Sequence, residues 1–293
     1  MMITGNDIRM IQETKQTLQD TFKMKDLGDL KYFIGIEFTL EIISEAGLSA
    51  AKPATTPFDS FVKLTTKKYD EVNNIGHDDK LLEDPNIYRR LIGKLLYLTV
   101  TRPDIAYATQ TLSQFLHQPK QSHLIATVKV VRYIKGQAWW GIFLSSKSSK
   151  HLNVYCDLDW ATCPLTRRSV TRVLIKLENS LISWKTKKQG TVSRSSAEWI
   201  VSLFKELGEI FKLQLLSIVI ERTKHVELDC HFIREKIQKG VIETRHLSTK
   251  EQIVDLLTKG LGSSQYEYLL SKFVVINLFI TSNLRGNIKE GIT

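Results

Sequence analysis

The hydrophobic period of this chain changes partway along, and that change limits the folds open to it. Up to about residue 136 apolar residues recur at helical spacing. Beyond a Ser/Lys-rich stretch, "SSKSSKH" (residues 145–151), they alternate with polar ones. The first half therefore predicts helices and the second a sheet, with the best domain boundary at 145–151. Residues 7–22 place Ile8, Ile11, Leu18 and Phe22 on one helical face, with Asn6 or Asp7 as the cap. "LGDLKYFIGIEF" concentrates aromatic and β-branched residues and predicts a strand from Tyr32 to Phe38. Residues 50–86 are polar and carry Pro53, Pro57 and Pro85, the pattern of a long connection.

Three amphipathic helices are predicted next. The first carries Ile87, Leu91, Leu95 and Leu98 and stops before "TRPD". Pro103 suits the first turn of the second, with Ile105, Ala108, Leu112 and Phe115 inward. The third turns Leu124, Val128, Val131 and Ile134 inward and shows Lys129, Arg132 and Lys135 on its other face. That basic face either tracks phosphates or is simply solvated, and solvation is the commoner outcome. After the boundary, Leu152–Cys156, Val173–Leu177 and "LISW" read as successive antiparallel strands turned by "ENS". Helices are expected from Ser195 past Leu207, over Val226–Ile237 and over Thr249–Lys259, with a short strand at "VIETRHL".

Charge narrows the partners. Lys+Arg number 41 against 31 Asp+Glu, a formal net charge of +10. Such a surplus favours polyanions, nucleic acid before acidic membrane. The sparse cysteines, Cys156, Cys163 and Cys230, form no CxxC pair or zinc spacing, which suits a reducing compartment. No apolar run reaches the roughly 18–20 residues of a membrane span; "FVVINLFI" at Phe273–Ile280 has strand length. The N-terminus lacks a signal-peptide core, so a cytoplasmic or nuclear location is expected.

"VYCDLDWATC" ends a predicted strand with Asp157 and Asp159, two residues apart. Three strands followed by a helix, with acids on the first strand and early in the helix, are the opening of a ribonuclease-H-like domain. Such a site needs carboxylates from separate elements around two Mg²⁺ ions about 4 Å apart. Asp157, Glu198 and Asp255 are the candidates. Each has a competing role: Asp159 is an alternative to Asp157, Glu198 stands three residues after Ser195 as in a capping box, and Asp255 also suits a helix surface. His225/Asp229 and His231/Glu235 have i, i+4 spacing, simpler as helix-surface contacts than as zinc ligands.

Several long segments carry a resemblance: "FKMKDLGDLKYFIGIEF", "YRRLIGKLLYLTVTRPDIAYATQTLSQF", "CDLDWATCPLTRRS", "LISWKTKKQGTVSRSSAE" and "ERTKHVELDCHFIREKI" with "HLSTKEQIVDLLTKGL". In this order they resemble the C-terminal part of copia-type LTR retrotransposon Pol polyproteins, from about Met2 to Leu284. The resemblance implies an α/β (α+β) chain. A reverse-transcriptase palm remnant (1–50) precedes a linker and helical connecting region (51–145), an RNase-H-like mixed sheet with flanking helices (150–262) and a C-terminal tail (263–293). It implies Mg²⁺ as cofactor, held by Asp157, Glu198 and Asp255 as catalytic carboxylates. The implied partner is an RNA–DNA hybrid or other nucleic acid, with no membrane and no small-molecule substrate; in the alternative of a non-catalytic basic module, nucleic acid is held through Lys185, Lys187, Lys188 and Arg194.

The departures set the expected activity. The chain begins at "MMITGND", after the point where the family carries its Tyr-x-Asp-Asp motif, so polymerase activity is not expected. "TLEIISEAGLSAAKP" follows "IGIEF" too soon for the family's hairpin. "SSAEW" stands where the family reads "SSAEAEY", and no Asp or Glu lies between Glu209 and Glu221, where the family has a Cys-Asp-Asn strand end. Arg172 replaces a usual glycine. A two-metal site missing one carboxylate leaves positive charge uncompensated, so a degenerate RNase-H-like domain with impaired Mg²⁺ binding and no cleavage is expected. Residual RNase H activity and a non-catalytic basic nucleic-acid-binding module are the alternatives.

Overall fold

The computed structural model describes residues 7–22, 34–75, 78–142, 152–159, 170–178, 180–188, 216–220, 238–239, 242–244, 247–273 and 275–277. Helix α1 (Ile8–Phe22) begins where the sequence caps it: Asp7 Oδ1 accepts from the backbone N–H groups of Arg9 (3.0 Å) and Met10 (3.2 Å). On its apolar stripe Ile8 is 73% exposed, while Ile11 and Leu18 are half-buried.

Of the strand expected at Tyr32–Phe38, residues 34–38 instead begin helix α2 (Ile34–Glu45), and Tyr32 and Phe33 lie outside the described residues. Strand propensity loses here to tertiary packing. Ile36, Thr39, Ile42 and Ile43 recur at helical spacing and are buried. Glu41 and Glu45 reach Lys94 on the neighbouring helix, and Arg90 meets Glu45 at 2.5 Å. The connection at 50–86 holds a short helix α3 (Lys67–Asn73), and it also supplies core through Phe58 and a buried carboxylate, Asp70.

Helix α4 (Pro85–Leu98) starts on Asp84, whose Oδ1 accepts from Asn86 N (2.9 Å), with proline at its first position. Leu91, Leu95 and Leu98 are buried as expected. Tyr88 and Ile92 complete that face, whereas Ile87 is 43% exposed. A 3₁₀ turn at Pro103–Ile105 leads into α5 (Ala106–Ser113), and Ile105, Ala108, Leu112 and Phe115 all point inward. Helix α6 (Gln121–Gly136) buries Val131 and Ile134 together with Thr127, Val130 and Tyr133, while Leu124 and Val128 are only half-buried.

The basic face of α6 is neither free nor simply solvated. Lys129 pairs with Asp59. Arg132 Nε donates to Lys52 O (2.6 Å), and Lys135 Nζ donates to Ser49 O (2.7 Å) and Ala51 O (2.5 Å). These cations strap the 49–59 segment along the helix, so their charge serves backbone carbonyls and one carboxylate.

His123, at the start of α6, is fully buried and stacks on Phe115 with ring centroids 4.0 Å apart. Its Nδ1 accepts from Lys120 N–H (3.0 Å), which leaves Nε2–H to donate to Thr65 O (3.1 Å). Burial, helped by the Lys120 ammonium, pushes the imidazole from 6.5 down to about 4. In the unfolded chain it takes a proton near about pH 6.5, but in the folded chain only near 4, so stability falls as pH drops through that window. The loss between pH 7 and pH 4 is expected to be roughly 3 kcal/mol. Urea titrations across that range should show it, and His123→Gln should remove it.

The second half forms a five-stranded sheet of order β4-β3-β2-β5-β6. Strands β2 (Leu152–Asp159), β3 (Val170–Leu177) and β4 (Ser180–Lys188) are antiparallel neighbours, as alternation predicts. The β3–β4 turn holds Glu178 at φ 53°, a left-handed conformation uncommon outside glycine. Strands β5 (Leu216–Ile220) and β6 (Ile242–Thr244) add in parallel on the other side of β2. A separate pair joins β1 (Trp140–Ile142) to β7 (Val275–Asn277) across helix α7 (Ser263–Lys272). The helices expected at 195–207 and 226–237 lie outside the described residues.

One hydrophobic cluster runs through both halves. Leu95, Ile105 and Ile134 of the helices join Leu174 and Leu181 of the sheet, then Val254, Leu257 and Phe273. Trp184 Nε1 donates to Thr99 O (3.3 Å), tying β4 to the end of α4. Lys176 of β3, 6% exposed, donates to Lys272 O (2.5 Å) and so caps the C-terminus of α7. Burial lowers its pKa to about 8.

Candidate nucleic-acid and metal site

Asp157 stands near the C-terminal end of β2, opposite Arg172 of β3. The parallel pairing of β2 with β5 ends one residue earlier, at Cys156 and Ile220. Asp157 therefore sits where a parallel pair runs out, the position at which open α/β sheets present ligand-binding groups.

Asp255 is contributed from far along the chain. The expected helix at Thr249–Lys259 is corrected to two 3₁₀ turns, Thr249–Glu251 and Ile253–Leu257, separated by Gln252 in an extended conformation. The apolar run Ile253, Val254, Leu256 and Leu257 explains the tighter winding, because all four side chains are buried and a uniform α-helix presents only one face. The second turn packs against β2 and β3. Asp255 is 5% exposed, so it is no helix-surface residue. Its backbone carbonyl accepts from Thr258 N and Lys259 N (3.1 Å each) and from Thr258 Oγ1 (3.0 Å). Its carboxylate Oδ1 accepts from Lys259 Nζ at 2.8 Å.

The remaining candidates divide. Glu198 and Arg194 lie outside the described residues, as do His225, Asp229, His231 and Glu235. Lys185 is exposed on β4, the edge strand, with Lys187 and Lys188 further along the same strand. Among the described residues no group of three or more His, Cys, Asp or Glu is placed to hold a metal ion. One oxygen of the Asp255 carboxylate, Oδ1, already holds the Lys259 ammonium.

A polar site that sequence patterns alone do not single out lies in "TRPD". Arg102 and Asp104, each 1% exposed, form a two-pronged ion pair: Nε to Oδ1 at 2.9 Å and Nη2 to Oδ2 at 2.7 Å. Arg102 Nη1 also donates to Gln137 O (2.8 Å), and Tyr133 OH donates to Asp104 Oδ2 (2.8 Å). Tyr266 OH of α7 lies 2.9 Å from Tyr133 OH and 3.2 Å from Asp104 O. The signal available in the sequence is two opposite charges flanking a proline inside an otherwise apolar helical stretch. The network joins three parts of the chain.

Residues 1–54 match the reverse transcriptase (RNA-dependent DNA polymerase) family. The chain is 33% identical over 320 aligned positions to the retrovirus-related Pol polyprotein from transposon RE2 of Arabidopsis thaliana, covering 95% of this chain and 21% of that protein. An uncharacterized mitochondrial protein of the same plant, AtMg00810, is 34% identical over 68% of this chain and 84% of its own length. The Pol polyprotein from transposon TNT 1-94 of Nicotiana tabacum is 27% identical over 91% of this chain and 23% of its length. A solved structure, the Mos1 strand transfer complex, gives a TM-score of only 0.23 at 9% identity over 93% of this chain and 80% of that one, too low to carry an argument.

The class these matches define is that of reverse-transcribing transposable elements. Within it, the chain belongs to the copia-type retrotransposon Pol family. It spans about a fifth of the length of the Pol polyproteins it matches. The RE2 alignment is longer than the chain's 293 residues, so that relative carries segments with no counterpart here. Among the described residues no helix is long and apolar enough to cross a membrane.

Proposed function

We propose that this chain is a retrotransposon Pol protein whose second half is an RNase-H-like module that does not sustain metal-dependent cleavage. The observation that carries the reading is the sheet order β4-β3-β2-β5-β6, three antiparallel strands followed by two parallel ones, with Asp157 at the end of the central strand. In this reading residues 1–50 are a palm remnant, 51–145 a linker and helical connecting unit, 150–262 the RNase-H-like module and 263–293 a tail. Mg²⁺ is the ion its carboxylates descend from binding, and an RNA–DNA hybrid is the substrate class. The test is incubation of the purified chain with hybrid carrying labelled RNA, in Mg²⁺ or Mn²⁺. No product is expected, and Asp157→Asn should change nothing. Metal-dependent cutting that Asp157→Asn abolishes makes the chain a residual RNase H instead.

A second reading, that the chain holds nucleic acid without cutting it, is favoured by the exposure of Lys185 on the edge strand and by the net charge of +10. Affinity for hybrid should then fall steeply with salt and need no metal. Replacing Lys185, Lys187, Lys188 and Arg194 by alanine should reduce the salt slope by about one for each phosphate no longer neutralised.

A further inference from the structure

We propose that Lys259 is the resident counter-ion of Asp255: its ammonium takes the place a divalent cation would occupy, and the pair anchors the 253–260 turn. The proposal rests on reading Asp255 as the third carboxylate of an RNase-H-like site. The geometry is one-sided. The Asp255 side chain is 7% exposed while that of Lys259 is 42% exposed, so the acid is fixed in the core and the cation reaches it from the surface. Their Nζ–Oδ1 distance of 2.8 Å is that of a charge-assisted hydrogen bond.

The backbone holds the pair in place. The N–H groups of Thr258 and Lys259 both close onto the Asp255 carbonyl, which curls the chain back over its own carboxylate. On the far side, Gly260 lies so close to the 59–60 backbone that an added Cβ would stand 2.9 Å from Ser60 Cα. The turn is thus pinned between its own hydrogen bonds and a neighbouring stretch of chain.

A divalent ion would have to displace that ammonium. Mg²⁺ dehydrates reluctantly and gives up water only where several oxygens replace it. A tethered ammonium neutralises one carboxylate without that demand. Asp255 is therefore a structural acid in this chain, whatever its ancestry.

Thermal melting of the full chain in millimolar MgCl₂ against EDTA tests the proposal, with Mn²⁺ titration followed by electron paramagnetic resonance. The wild-type melting temperature should be the same in both solutions, with no Mn²⁺ bound at Asp255. Lys259→Met should melt on the order of 5 °C lower, and Mg²⁺ should restore part of that loss. Lys259→Arg, which keeps the cation, should follow the wild type. A Mg²⁺-dependent rise in the wild type that Asp255→Asn abolishes overturns the proposal, as does a Lys259→Met variant that melts like the wild type. If Lys259→Met does not fold, the Mn²⁺ titration of wild type against Asp255→Asn decides alone. No nucleic acid is present in either measurement, so hybrid cutting that Asp157→Asn abolishes overturns the functional reading separately from these melts and titrations.

Discussion

Arg102→Met is expected to destabilise the chain by about 3–5 kcal/mol, the range for removing one partner of a buried ion pair. The reason is what it leaves behind. Asp104 is 1% exposed and loses both prongs of the guanidinium, keeping only the Tyr133 hydroxyl at 2.8 Å. The Gln137 carbonyl loses its 2.8 Å donor as well. A lysine at 102 offers one point charge in place of a planar fork, so Arg102→Lys should recover only part of the loss. Urea unfolding gives the measurement, with a fall in melting temperature on the order of 10 °C as the companion signal. The double variant Arg102→Met/Asp104→Leu should be less damaged than Arg102→Met, because it removes the stranded charge. An Arg102→Met variant within about 1 kcal/mol of wild type, the worth of one exposed ion pair, sinks this account of the network.

Where period and caps agree, the sequence is legible. Asp7 caps α1, Pro103 opens the turn before α5, and alternation marks β2, β3 and β4. It misleads where composition competes with packing. Ile34–Phe38 looks like a strand, but Ile36 shares a buried face with Thr39, Ile42 and Ile43 further along, and burial of that face selects a helix. The run around Asp255 looks like a helix, yet every flanking apolar residue is buried, and two tight turns accommodate that better.

Which acids are candidates can be read from the sequence, but their surroundings cannot. Spacing and resemblance nominate Asp157 and Asp255, and both stand on or against the central strand β2. Neither signal reports that Lys259 folds back onto Asp255, since an i, i+4 acid–base pair reads identically on an exposed helix. The basic face of α6 misleads for a related reason. Lys129, Arg132 and Lys135 look like free charge in the sequence, but their partners, one aspartate and three backbone carbonyls, lie far off along the chain, at 49–59.

The second large effect is expected at Lys120, from the same kind of long-range pairing. Its ammonium, 2% exposed by residue, lies 2.6 Å from Asp70 and 2.8 Å from Asp79. Burial by itself raises both carboxyls. Hydrogen bonds from Lys120, with Thr65 at Asp70 and Ser122 at Asp79, outweigh that and hold both below the ordinary range. The lysine in turn is desolvated, which lowers its pKa, and the two aspartates more than offset this. Lys120→Met therefore strands Asp70, which is 6% exposed, and is expected to cost about 3–5 kcal/mol at pH 7. The pH dependence identifies the cause. Without the ammonium, burial raises the Asp70 carboxyl, so it takes up a proton on folding and the penalty eases as pH falls. The wild type moves the other way, losing the benefit of its depressed carboxyls as pH falls through and below about 4. The stability gap between the two proteins, from urea unfolding at a series of pH values, should therefore narrow steadily toward pH 4. A gap that is constant from pH 7 to pH 4 would assign the loss to packing of the lysine stem and reject the ion-pair explanation.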